Sequence, residues 1–304
     1  MTDPNKTADG MWTPPKLVQW ISNDFEKKGF PPPHRLQAEQ IVGHALNISR
    51  LEIYLQFDKP CTKQEQQKVR DLVKRRYKRE PTSYILGYQD FWSLRLKVGP
   101  GVLIPRTDTE VLIEKALEII PETPLEGNFR ILELGTGTAA IPLALCSERE
   151  HLRILSSECS PEAIRFASQN IREYAEVIET KNNSITLIHG DGFSAISKEL
   201  KADMIISNPP YIPSDDIQAL QNEVKDWEPS LALDGGEDGL EFYKLLFGEA
   251  ENRLKRDGIL LFEHGYNQVL QLGTLLKSYP KLKLVESSKD YSGLDRVMVI
   301  GCKN

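Results

Sequence analysis

The sequence predicts an α/β protein, with a helical N-terminal region followed by a mostly parallel, doubly wound sheet. Three observations carry this. Apolar residues recur at helical spacing from about Pro14 to Gly87. From about Phe129, short apolar strands alternate with helical segments, the pattern of a sheet whose strands are joined by crossover helices. The first of those strands runs into "ELGTGTAAI", a glycine turn that opens a helix.

Size and composition agree. The chain has 304 residues, enough for two domains or one large one. Hydrophobic content of 40% and charged content of 27% are ordinary for a soluble globular protein. Acids outnumber bases 44 to 38, a net charge of -6, which argues against a protein that coats nucleic acid. No apolar run approaches the ~20 residues needed to cross a bilayer. The stretch "MTDPNKTADG" has neither a signal-peptide core nor an Arg-rich transit pattern. Cys61, Cys146, Cys159 and Cys302 form no CxxC pair, and the histidines are scattered, so neither a disulfide framework nor a metal site is expected. A reducing cytoplasm is the expected location.

In the helical region, "KLVQWISNDFEKKGF" sets Leu17, Trp20, Ile21 and Phe25 on one face. "RLQAEQIVGHALN" follows the break at Pro31 to Pro33. "TKQEQQKVRDLVKRRYKR" opens with Thr62 and Glu65 at capping-box spacing. These segments make a small bundle. Its cations Lys68, Arg70, Lys74, Arg75, Arg76, Lys78 and Arg79 fit a solvated helix face, or a surface for RNA or an acidic partner. From Tyr88 to Pro105 the pattern alternates around Gly99-Pro100-Gly101, which suggests a hairpin connecting two domains.

The sheet region reads in order. "FRILELG" is a strand and "TAAIPLALCSE" a helix. "RILSSE" is a strand, and "SPEAIRFASQNIREYAEV" a helix capped by Ser160 with Pro161 in its first turn. "SITLIHG" and "DMIIS" are strands, "GLEFYKLLFGEAENRLK" a helix, and "GILLFEHG", "LKLVES" and "RVMVIG" strands. Ligands bind such sheets at the carboxyl ends of the strands, near the switch in strand order.

The chemistry-bearing residues fall on that edge. Gly135 and Gly137 permit a tight turn and close backbone approach, and Gly135-x-Gly137-x-x-Ala140 fits a dinucleotide fingerprint. Glu158 ends the second strand, where an acid can accept the ribose hydroxyls of a nucleoside; a helix N-terminal acid is the plainer reading. After the third strand, Asp191 can accept from an exocyclic amine and Phe193 can pack on a flat ring. Asp191 also suits a turn or cap. The fourth strand ends in "SNPPY". Glu133, Glu158, Asp191 and Asn208 thus lie at or near four successive strand ends.

The glycine turn suits NAD or S-adenosyl-L-methionine alike; "NPPY" discriminates. An amide or aryl-amine nitrogen is a poor nucleophile because its lone pair is delocalised. Two acceptors on its N–H bonds would aim the lone pair at a methyl group and favour charge developing on nitrogen. Asn208 offers a side-chain oxygen and Pro209 a backbone carbonyl, while Pro209 and Pro210 make the turn rigid. Tyr211 can pack on a planar substrate.

With these motifs, the chain resembles the protein-(glutamine-N5) methyltransferases of the HemK/PrmC family, which modify peptide chain release factors. The turn and "NPPY" are shared with many methyltransferases. "PTSYILGYQDFW", "VLIPRTDTE", "EPSLALDGGEDGL", "EHGYNQ" and "GLDRV" are more specific to the family. His264 stands where an apolar residue is expected, and Glu158 where Asp is usual.

The resemblance implies a class I S-adenosylmethionine-dependent methyltransferase, Rossmann-like, with a seven-stranded, mostly parallel sheet and an N-terminal helical bundle. It implies a substrate-binding bundle over residues 1–87, a β-hairpin linker over 88–105 and a catalytic domain over 106–304. The implied cofactor is S-adenosyl-L-methionine, leaving as S-adenosyl-L-homocysteine. Glu133, Gly135, Thr136, Gly137, Glu158, Asp191, Gly192, Phe193 and Asn208 would bind it. Asn208, Pro209, Pro210 and Tyr211 would carry catalysis and, with Arg106, hold the substrate. That substrate is the glutamine of the GGQ loop of a release factor, met by a monomer that keeps no stable nucleic-acid complex and uses no metal. An adenine-N6 nucleic-acid methyltransferase is the alternative. A non-catalytic factor-binding module and a nicotinamide oxidoreductase are more distant ones.

Overall fold

The structure is a computed structural model that describes residues 11–122 and 127–303. The N-terminal stretch read above for targeting signals, residues 1–10, lies outside the described residues. The chain divides into two compact units, Met1–Gly87 and Tyr88–Asn304.

The first unit is helical: α1 (Pro14–Lys27), α2 (His34–Leu46), α3 (Arg50–Leu55), α4 (Lys63–Tyr77) and α5 (Thr82–Leu86). Leu17, Ile21 and Phe25 of α1 meet Ile41 and Val42 of α2 and Val69 and Val73 of α4 in one core, with Trp20 at its edge. Thr62 and Glu65 form the expected reciprocal cap of α4. The same signature at Ser49 and Glu52 starts α3, which apolar spacing alone does not reveal. Three of the seven clustered cations brace the bundle itself. The Arg76 guanidinium is buried 4.5 Å over the Phe30 ring, Arg79 sits 4.1 Å from the same ring, and Arg75 pairs with buried Glu80 at 2.5 Å.

The second unit opens with a hairpin of β1 (Tyr88–Phe91) and β2 (Leu94–Lys97). It turns at Trp92, whose φ is 53°, and not at the Gly-Pro-Gly stretch. Those glycines serve close approach instead. A Cβ on Gly99 would lie 2.9 Å from the Phe166 ring, and one on Gly101 2.8 Å from Glu162 Cβ. The segment from Gly101 to Arg106 is thereby laid across the sheet's binding edge.

There follow α6 (Glu110–Ile119), β3 (Phe129–Leu134), α7 (Ala140–Glu148), β4 (Leu152–Glu158), α8 (Pro161–Glu173), α9 (Ala175–Thr180), β5 (Ser184–His189), β6 (Ala202–Ser207), α10 (Asn222–Lys225), α11 (Glu241–Arg253), β7 (Leu254–Glu263), α12 (Val269–Leu276), β8 (Leu282–Lys289) and β9 (Asp295–Cys302). Ser160 caps α8 as expected, but that helix stops before Val177. The chain breaks at Tyr174, whose hydroxyl accepts from the Arg95 N–H of β2 at 2.7 Å.

The seven-stranded sheet has the order β5-β4-β3-β6-β7-β9-β8. Only β9 runs against its neighbours. Ile131, Ile154 and Met204 pack on one face with Leu112 of α6 and Leu145 of α7. Leu132, Ile205 and Leu260 pack on the other with Phe247 of α11 and Leu272 of α12. The chain steps outward from β3 to β4 and β5, then returns to β6 on the opposite side. Strand order therefore reverses between β3 and β6, where the connecting loops part and leave a crevice.

Candidate active site

That crevice is a cleft walled by the loops after β3, β4, β5 and β6. Gly135, Thr136, Gly137, Glu158, Asp191, Gly192, Asn208, Pro209 and Pro210 all line it. Val102, Leu103, Pro229 and Leu231 supply apolar wall from the Gly101–Arg106 segment and the loop after "NPPY".

The glycine turn bends back on the protein. Gly135 and Gly137 have φ of 72° and 57°, a region where glycine carries no Cβ penalty. The N–H groups of Gly135 and Thr136 donate to the Ser157 carbonyl at 2.9 and 3.2 Å. The Gly137 N–H donates to Glu158 Oε2 at 2.9 Å. Three successive N–H groups of the turn are thus committed internally. Glu158 Oε1 also accepts from the N–H groups of Cys159 and Ser160, each at 2.9 Å. A carboxylate has about four acceptor positions, and the one left on Oε2 can take a ligand hydroxyl. Glu158 thus holds the local backbone, as the plainer reading expected, and also lines the cleft.

The "NPPY" turn is held by its neighbours. Gln268 Nε2 donates to the Tyr211 carbonyl at 3.0 Å, and the loop after the motif bridges to Ile212. A Cβ on Gly235 would meet Tyr211 Cα at 2.8 Å and the Pro210 carbonyl at 3.0 Å, so only glycine fits there. Asn208 Nδ2 donates to Thr109 Oγ1 at 3.0 Å, and Thr109 donates to Glu263 Oε2 at 2.6 Å. With its amino group held, Asn208 keeps its side-chain oxygen as a free acceptor. No donor among the described residues occupies the Pro209 carbonyl. Neither of the two acceptors expected of this motif is taken by a donor among the described residues.

Comparisons with known proteins follow the same line. The family described as "Methyltransferase small domain" matches residues 109–292, and "PrmC N-terminal domain" matches residues 16–87. A release factor glutamine methyltransferase of Geobacter sulfurreducens is 38% identical, over 95% of this chain and 96% of its own. The chain belongs to the release factor glutamine methyltransferase family. Members of that name from Thermodesulfovibrio yellowstonii and Coxiella burnetii are 36% and 37% identical, each over 87% of this chain and 91% of its own. Among solved structures, the hMettl16 catalytic domain in complex with MAT2A 3'UTR hairpin 6 aligns with a TM-score of 0.54 and 15% identity, over 70% of this chain and 77% of that one. That likeness speaks for the fold alone.

In this release factor glutamine methyltransferase, three expected site residues sit off the main wall. Glu133 is fully buried beneath the turn, and neither carboxyl oxygen has a hydrogen-bond partner among the described residues. Burial pushes its pKa up to about 7, against the opposing influence of Ser156 and Thr136. Phe193 is turned into the core with the Arg253 guanidinium 5.3 Å from its ring, so it presents no face to a ligand there. Tyr211 lines a second, adjoining pocket with Arg106, Asn208 and Pro209, and its hydroxyl donates to Glu263 Oε1 at 3.2 Å. Arg106 borders both pockets but is paired with buried Glu228 at 2.5 Å. Glu228 Oε2 also accepts from the Ile104 N–H at 3.0 Å, which ties the segment before Arg106 to the loop after "NPPY".

Sequence reasoning did not single out Thr109, Glu228 or Glu263. Each lies inside a stretch that carries the family resemblance, "VLIPRTDTE", "EPSLALDGGEDGL" and "EHGYNQ", where a polar residue at a strand end or in a short motif was the only signal. His264, which departs from the expected apolar residue, is buried and behaves as one. Desolvation lowers its pKa, and Nδ1 donates to the Gly265 carbonyl at 2.9 Å.

Proposed function

We propose that this enzyme transfers a methyl group to the side-chain amide nitrogen (N5) of the glutamine in the GGQ loop of bacterial peptide chain release factors. The observation that carries the reading is the pair of acceptors left without a protein donor. Asn208 and Pro209 both line the main cleft and the adjoining pocket that Tyr211 lines, and no donor among the described residues takes the Asn208 side-chain oxygen or the Pro209 carbonyl. A primary amide has two N–H donors. Accepting both would hold the nitrogen in one orientation and favour the positive charge it gains on methylation. No strong base is needed, because the nitrogen becomes acidic once it is alkylated.

The proposed cofactor is S-adenosyl-L-methionine, which supplies an electrophilic methyl group when bound. The cleft suits it better than a dinucleotide. The N–H groups of Gly135, Thr136 and Gly137, where a pyrophosphate would approach the turn, are already engaged, and Arg106, the cation on the wall, is paired with Glu228. The unpaired charges on the wall are carboxylates, which suit ribose hydroxyls and a cationic ligand. Gly135, Thr136, Gly137, Glu158, Asp191 and Gly192 would hold it. Glu133 would act from beneath the turn, and Phe193 only through packing.

In the same reading, residues 1–87 and the 88–105 segment engage the release factor, and the enzyme works as a cytoplasmic monomer without a stable nucleic-acid complex. The acidic balance of 44 to 38 supports the last point. No helix among the described residues is long and apolar enough to cross a membrane. The test mixes the protein, labelled cofactor and either release factor or DNA. Mass spectrometry should find one added methyl on the GGQ peptide. Label on DNA, with none on the release factor, overturns the reading.

A further inference from the structure

The transfer described above leaves a buried polar chain unassigned. Glu263 and Thr109 are 1% and 5% exposed. Thr109 Oγ1 donates to Glu263 Oε2 at 2.6 Å, and Asn208 Nδ2 donates to Thr109 Oγ1 at 3.0 Å. The Tyr211 hydroxyl donates to Glu263 Oε1 at 3.2 Å, so the carboxylate is read by two hydroxyls of the same site.

A hydroxyl has one proton to give. When Glu263 takes it, Thr109 can offer Asn208 only a lone pair. Asn208 must then turn its amino group to Thr109 and its oxygen to the cleft. We propose that Thr109 and Glu263 are positioning residues: ionised Glu263 sets the direction of hydrogen bonding through Thr109, and so selects which end of the Asn208 amide meets the substrate. The inference rests on the role given to Asn208 under Proposed function.

Protonation reverses the chain. A neutral Glu263 donates to Thr109 Oγ1, and the hydroxyl proton is released toward Asn208. The Asn208 amide flips to accept it, and its amino group turns into the cleft. A substrate amide N–H then faces a donor where it needs an acceptor, and the nitrogen loses its alignment.

The groups around Glu263 compete over this proton. Burial favours the neutral form, as does the nearby Asp108 carboxylate. Thr109, Tyr211 and the Arg296 guanidinium favour the charged form, though Arg296 is itself paired with Asp290 at 2.9 Å. The Tyr243 hydroxyl binds only the Glu263 backbone carbonyl, at 3.2 Å. Arg106 shares the pocket with Glu263 but is paired with Glu228, and His264 is engaged with Gly265. The balance leaves Glu263 above the ordinary carboxylate range. Activity should therefore fall as pH is lowered through that raised value, while an ordinary exposed carboxylate would still be ionised.

The test measures kcat on purified release factor with S-adenosyl-L-methionine across pH, using the full chain. Thr109→Val should lower kcat by about tenfold or more, Thr109→Ser should stay within about threefold of wild type, and Thr109→Val should cost less than about twofold when Asn208 is already Ala. Glu263→Gln keeps an acceptor for Thr109 but cannot titrate, so the acid limb of the profile should vanish. A Thr109→Val loss that persists undiminished in the Asn208→Ala background marks mere structural damage and overturns the proposal. So does a wild-type profile with no acid limb above the ordinary carboxylate range, a measurement that needs no variant to fold. If Asn208→Ala alone leaves kcat unchanged, the reading of Asn208 itself is wrong. If Asn208→Ala abolishes turnover while the Thr109 and Glu263 variants keep wild-type rate and profile, only the positioning role is lost.

Discussion

At the scale of single residues, the proposed roles separate orientation from binding. Asn208→Ala removes the acceptor proposed to meet the developing charge, and should cost kcat the equivalent of roughly 2–4 kcal/mol with cofactor affinity little changed. Steady-state kinetics on release factor checks this, and an unchanged kcat in a folded variant counts against the role. Glu158 carries more than sequence suggests, because three backbone N–H groups depend on it. Glu158→Ala should raise the cofactor Kd by roughly tenfold to a hundredfold, the scale of a lost charged hydrogen bond together with orphaned donors. Calorimetric titration with S-adenosyl-L-homocysteine reads it directly, and an unaltered Kd refutes the assignment. Both residues were legible in sequence because a polar side chain at a strand end has few places to go. Phe193 was not, since residue type says that a ring must be covered but not by what. Its cover is the Arg253 guanidinium and the core, not a ligand.

At the scale of elements, the strands of the sheet are where period and composition put them, and Ser160 and Thr62 cap the helices they precede. The Gly-Pro-Gly stretch is the informative error. Glycine announces a missing Cβ, which serves a turn or a close neighbour equally well. Here the neighbours are Phe166 and Glu162, far along the chain, and no local rule names them. The loop after "NPPY" follows the same logic. Gly235→Ala would push a methyl group into the backbone of Tyr211 and Pro210. We expect stability to fall by about 1–3 kcal/mol from overpacking and kcat to fall with it, read by chemical denaturation alongside turnover. A variant with wild-type values of both would mean that the loop does not shape the motif.

At the scale of the whole molecule, burial of charge at the heart of the sheet makes stability depend on pH. Glu133 is raised from 4.5 to about 7 by desolvation. Between those values the folded state holds a proton that the unfolded state has lost, so this residue's contribution to stability declines as pH rises toward 7 and is level above it. The full swing is roughly 3 kcal/mol at 1.36 kcal/mol per pKa unit. Glu133→Gln cannot titrate. Its stability relative to wild type should therefore rise by roughly 2–3 kcal/mol from pH 5 to pH 8 in urea unfolding. A difference that stays constant with pH would show that Glu133 titrates in the folded protein as it does in the unfolded chain.

By itself the sequence determined the alternation of strands and helices, the glycine turn, the "NPPY" stop and the family, because periodicity, turn chemistry and short motifs are local properties. Tertiary structure decided which way side chains face and what they touch. It turned Phe193 and Glu133 inward, drew Arg76 into the bundle core, and brought Thr109 and Glu263 behind Asn208 from 99 and 55 residues away along the chain. Those outcomes depend on long-range packing, where one buried proton on Glu263 can determine the direction of a hydrogen bond that residue type leaves open.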